Sequence, residues 1–140
     1  MSGMESASNS VNSSAERSSI QRMCKLKTND SQIFEVPAAV ASMSKVIGTL
    51  IENLDLRDDD EPIPLPNVDS QVLRKVLLWC EIHLHDERGA ESQKHLKEWD
   101  DQFFNVDDAM LFKITRAANY LDIAGLLDEG ITRIAEKAKV

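Results

Sequence analysis

The chain has no glycine-rich loop. Only 5 of its 140 residues are glycine, and they stand isolated, so no stretch can cradle a phosphate with successive backbone N–H groups. A nucleophile elbow is missing, as is a His-Glu zinc pair on a helix. Cysteine is scarce: Cys24 and Cys80 are the 2 present, which is no disulfide framework and fits a reducing compartment. Basic charge is outweighed, with 16 Lys and Arg against 24 Asp and Glu for a net −8. That balance argues against nucleic acid or an anionic membrane as the main ligand. No apolar run is long enough to span a bilayer, and none at the N-terminus serves as a signal peptide. A cytoplasmic or nuclear protein is the expectation.

What is present describes one domain. A chain of 140 residues, 42% hydrophobic, holds one real core and not comfortably two. Residues 1–21 are Ser-rich without apolar periodicity and read as a disordered tail. A strand–helix core is expected over 22–86, a polar loop over 87–97 and C-terminal helices over 98–140. Within the core, Met23–Lys27 and Ile33–Val36 alternate around the turn residues Thr28-Asn29-Asp30-Ser31, a short hairpin. Pro37 fits the first turn of a helix. Ala38–Leu54 carries a wide apolar stripe that can break at Ser44 or Gly48. Asp55–Glu61 is an acidic run without the alternation or central glycine of a calcium loop, and reads as a solvated connection. Pro62–Val68 alternates proline with apolar residues, so it belongs at a sheet edge or capping the sheet. Asp69 or Ser70 caps a helix whose face is Leu73, Val76, Leu77, Cys80 and Leu84.

Candidate chemistry is thin. Cys80 and His83 share a helix face, but His85 points elsewhere and no fourth ligand has finger spacing, so a packed cysteine beside surface histidines is expected. Paired carboxylates occur only in runs expected to be solvated. No metal or cofactor is expected, and an enzyme is the poorest reading.

The informative stretch is Leu111–Asp128. Leu111, Ile114, Ala118 and Leu121 form a helical stripe, capped by Asp107, and Asn119 and Tyr120 stand beside it. An amide next to a phenol offers hydrogen bonds and a rigid aromatic surface, which suits a protein partner. A last helix carries Leu127, Ile131, Ile134, Ala135 and Ala138. Gly130 within it costs about 1 kcal/mol relative to alanine.

Three islands then bring a family into view. Pro64-Leu65-Pro66-Asn67-Val68 with the helix after it, Trp99-Asp100-Asp101-Gln102-Phe103, and Ala117–Ile123 with Gly125–Asp128 together resemble the S-phase kinase-associated protein (Skp) family, adaptors of SCF ubiquitin ligases. The resemblance implies an α+β BTB/POZ fold, a small three-stranded sheet flanked by helices, and no catalysis. It implies a cullin-facing surface at Asn119 and Tyr120, and an F-box-facing surface at Leu126, Leu127 and Ile131. Two departures stand out. Thr115 and Arg116 replace apolar residues, and Arg116, one turn from Tyr120, either stacks on the tyrosine, complements an acidic partner or narrows the choice of cullin. The family also continues past the position of Val140 with two more helices. The C-terminal extension is therefore expected to be truncated, with F-box binding weakened. The alternative from another class is a BTB-type self-association or regulatory module that homodimerises through uncovered apolar surface.

Overall fold

The computed structural model describes residues 22–54, 61–84 and 90–139. The Ser-rich tail 1–21, residues 55–60 of the acidic run, and His85 lie outside them.

Alternating side chains build the sheet. Strand β1 (Met23–Thr28) turns Cys24, Leu26 and Thr28 inward, as a period of two requires. It pairs antiparallel with β2 (Ile33–Pro37), Leu26 opposite Phe34 and Cys24 opposite Val36. The hairpin turn has Ser31 at φ 67°, and the Ser31 N–H donates to the Thr28 carbonyl at 3.0 Å. Strand β3 (Ile63–Leu65) pairs parallel with β1 on its other side, giving the order β2-β1-β3. Pro64 thus lies in an edge strand, where its missing N–H breaks no interior ladder. Pro37 closes β2 and caps the next helix rather than opening its first turn.

The apolar stripe after Pro37 divides at serine, not glycine. Helix α1 (Ala38–Ala41) ends, residues 42–44 turn, and α2 (Lys45–Leu54) follows with Gly48 inside it. Ser44 is buried and works in both directions. Its Oγ accepts from the Ile47 N–H at 3.1 Å and donates to the Leu121 carbonyl at 2.5 Å. A hydroxyl that satisfies one helix start and another helix end removes two orphan groups from the core.

Helix α3 (Ser70–Leu84) starts where Asp69 accepts from the Val72 N–H at 2.9 Å, a standard side-chain cap. Val72, Leu73, Val76, Trp79 and Cys80 are buried along it. Helix α4 (Ala90–Phe103) corrects the expected polar loop: from Ala90 onward that segment is helical. Leu96, Trp99 and Phe103 fall at i, i+3 and i+7 and are its part-buried or buried apolar residues among the described side chains. One narrow stripe among good helix formers holds a largely solvated helix, which charge content alone conceals.

Helix α5 (Asp108–Leu121) starts at the Asp107 cap, which accepts from the Met110 N–H at 2.8 Å. It ends at Asp122, left-handed at φ 57°, while the Ile123 N–H returns to the Ala118 carbonyl at 2.9 Å. Helix α6 (Ala124–Ala138) packs back on α5 through Leu126 and Gly130. Its covered face is therefore rotated from the expected one: Ile131, Ala135 and Ala138 are exposed. Arg133 ties α6 to α4, donating at 2.7 Å to Asp101 and at 2.7 Å to Glu129 while lying over the Phe104 ring.

Cys80 and His83 do not form a reactive pair. Burial pushes the Cys80 thiol up to about 12, because the thiolate would lose its hydration. His83 is not the surface residue expected. Its ring stacks on Trp79 with centroids 3.9 Å apart, and its Nε2 lies 2.9 Å from Asp100. Among the described residues no group of three His, Cys, Asp or Glu could hold a metal ion.

Candidate docking site

Burial of one side of α5 determines what its other side offers. Leu111, Ile114, Thr115, Ala118 and Leu121 face the core, so Lys113, Arg116 and Asn119 are left exposed and Tyr120 half-buried beside them. Opposite stand Asn29 of the β1–β2 turn, Pro66-Asn67-Val68-Asp69 after β3, and Val72 of α3. Between the two walls lies a groove of about 570 Å³, lined by these residues. Its chemistry is polar and aromatic, with three asparagine side chains, one phenol and two cations.

Both walls are held by hydrogen bonds. On the sheet side the Asn29 N–H donates to the Val68 carbonyl at 2.9 Å, joining the hairpin turn to the segment after β3. Next to it the Asp30 carboxylate accepts from Thr28 Oγ1 at 2.6 Å, the Ser70 N–H at 2.9 Å and Ser70 Oγ at 2.6 Å. On the helix side the Leu121 and Asp122 carbonyls accept from Ser44 Oγ at 2.5 Å and the Lys45 N–H at 3.1 Å. The last turn of α5, which carries Asn119 and Tyr120, is thereby held in place. A site with fixed walls loses less entropy on binding.

The hydroxyls of Ser70 and Thr28 hold the Asp30 carboxyl down to about 2 from an ordinary 3.8. A carboxyl lowered by folding contributes stability that is complete above its unfolded value and is lost as pH falls through its folded value. Asp30→Asn is therefore expected to flatten the acid-unfolding curve between about pH 4 and pH 2. Chemical denaturation at stepped pH measures this; an unchanged slope in that window refutes the clamp.

The site residues expected from the sequence separate into two groups. Arg116, Asn119 and Tyr120 come together on one wall of the groove. Among the described residues the cations lying over rings are Arg74, Lys75 and Arg133, so Arg116 does not stack on Tyr120. Leu126 needs correction: it is 0% exposed, a core residue that presents no surface. Leu127 is half-buried and Ile131 is 52% exposed.

Sequence reasoning missed Asn29, Asn67 and Lys113, and also Phe112. Asn29 read only as a turn residue and Asn67 only as part of the proline-rich segment, and nothing in the sequence singled out Lys113. Phe112 is 52% exposed and lines a second groove of about 210 Å³ with Asp108, Leu111, Ile134, Lys137 and Ala138. The available signal was a large aromatic one position off the core stripe.

Similarity to known proteins extends over most of the chain. The Skp1 family tetramerisation domain matches residues 22–85, from β1 through the end of α3. A relative from Talaromyces marneffei, named E3 ubiquitin ligase complex SCF subunit sconC, is 41% identical over 121 residues, 81% of this chain and 74% of the relative. A protein of the same name from Emericella nidulans is 42% identical over 126 residues, 85% of this chain and 77% of that one.

Proposed function

This chain belongs to the Skp1 family, and we propose on that basis that it is the adaptor subunit of an SCF ubiquitin ligase. It joins a cullin to F-box proteins and has no catalytic role of its own. One observation carries the reading: the family model spans the sheet and α3 that build one wall of the groove, and Arg116, Asn119 and Tyr120 share the other, exposed wall. That wall is the cullin side. A fixed polar groove with an aromatic edge suits recognition of a helical or extended partner segment better than turnover of a small molecule.

The F-box side is the exposed part of α6, at Leu127 and Ile131. With Leu126 inside the core, that strip is narrow, so affinity for an F-box on these residues alone is expected to be weak. Self-association through the same apolar residues is the competing use of the strip, favoured by the exposure of Ile131. We place the protein in the cytoplasm or nucleus, a reading supported by two buried free thiols, Cys24 and Cys80, as a reducing compartment keeps them.

Calorimetric titration of the chain with a cullin N-terminal region, and separately with an isolated F-box, tests the proposal. Saturable one-to-one cullin binding is the expected result, with weaker F-box binding. A homodimer in sedimentation that ignores added cullin would decide for self-association.

A further inference from the structure

We infer that Lys113 and Arg116 form a cationic lip that selects, among cullin partners, one presenting an acidic side chain to the groove. The inference rests on the adaptor reading above and adds the chemistry of the contact. Both residues are exposed on α5, three positions apart, and both line the groove beside Asn119 and Tyr120.

Folding does not account for the pair. Like charges at this spacing on a helix weaken it. Among the described residues neither forms an ion pair and neither lies over an aromatic ring. The chain as a whole carries −8, a net repulsion for an acidic partner region that such a lip offsets locally.

The groove lining itself carries two cations against one carboxylate. Asp69 is the one acidic residue among those lining the groove, and its Oδ1 already accepts from the Val72 N–H at 2.9 Å. Asp30, next to the groove-lining Asn29, is occupied by Thr28 and Ser70. Asn29, Asn67 and Asn119 are neutral and can complete hydrogen bonds to a carboxylate. A guanidinium can take that carboxylate through two parallel N–H groups, and the half-buried Tyr120 beside it limits access of water. An acidic side chain is the occupant this wall fits.

The test compares the parent chain with Arg116→Glu and Lys113→Glu, titrated with a cullin N-terminal region at low and high salt. Each reversal is expected to lower affinity about tenfold at low salt and to flatten the salt dependence. Replacement of the facing acidic residue of the cullin by lysine is expected to restore binding of Arg116→Glu. Both positions are exposed, so unchanged thermal unfolding serves as the folding control. Parent-like affinity and salt slope in both variants would overturn the lip while leaving the adaptor reading in place. Failure of the parent itself to bind cullin would overturn both.

Discussion

Asn119→Lys combined with Tyr120→Lys is expected to abolish cullin binding while the protein stays folded. The separation follows from where these side chains stand. Asn119 is exposed and Tyr120 half-buried, whereas their neighbours Ala118 and Leu121 form the core. Lysine is a good helix former, so α5 survives the change. Binding loses an aromatic anchor, typically worth about 2–4 kcal/mol when it is a hot spot, together with the directed hydrogen bonds of an amide. A loss of roughly 100-fold or more follows from that magnitude. The change also adds two cations beside Lys113 and Arg116. If charge alone governed the contact, affinity for an acidic partner would hold or rise. Loss of binding in this variant, set against the charge reversals at Arg116, thus separates shape and hydrogen bonding from electrostatic attraction. Calorimetric titration with circular dichroism melting is the measurement, and parent-like affinity in the double variant would remove both residues from the site.

Gly130→Ala is expected to destabilise the protein by about 2 kcal/mol, against the direction helix propensity predicts. In an isolated helix the substitution would gain about 1 kcal/mol. Here α6 crosses α5 closely, and a Cβ on Gly130 would run into Oγ1 of Thr115 and lie 3.2 Å from its Cβ and Cγ2. Thr115 cannot swing aside cheaply. It is buried, and its Oγ1 donates to the Leu111 carbonyl at 2.8 Å, while a β-branched residue in a helix has few rotamers. Overpacking of this kind costs about 1–3 kcal/mol. Thr115→Ala in the same chain is expected to recover most of the loss, a coupling of about 1 kcal/mol or more between residues in contact. Denaturant unfolding of the two single variants and the double variant checks this. A more stable Gly130→Ala, or additive effects, would show that the crossing is looser than the structure has it.

The Gly130–Thr115 contact also explains why part of the site could not be read from the chain. Thr115 looked like a departure at a position where apolar residues are expected, and Gly130 like a weak point in a helix. Together they set how near α6 approaches α5, and hence which side of α6 is covered. Leu126 went into the core and Ile131 stayed out because of that approach, which no pattern within α6 alone records. The first part of α4, residues 90–97, was missed for a related reason, while the stretch from Glu98 was expected to be helical. Leu96 is the one large apolar residue of that first part, too little pattern to distinguish it from a solvated loop.

Local pattern was sufficient elsewhere. Alternation set the hairpin, proline sent β3 to the sheet edge, Asp69 and Asp107 started their helices, and helical period divided α5 into a core face and an exposed face. These features depend on residues close together in the sequence, so the sequence by itself determined them, including the exposure of Arg116 and Asn119. The groove depends on residues far apart. Asn29, Pro66–Asp69 and the outer side of α5 become one site only after Asn29 bonds to Val68, Asp30 clamps Ser70, and Ser44 fixes the end of α5. Tertiary structure alone decided that assembly, because hydrogen bonds between distant segments leave no periodic trace in the sequence.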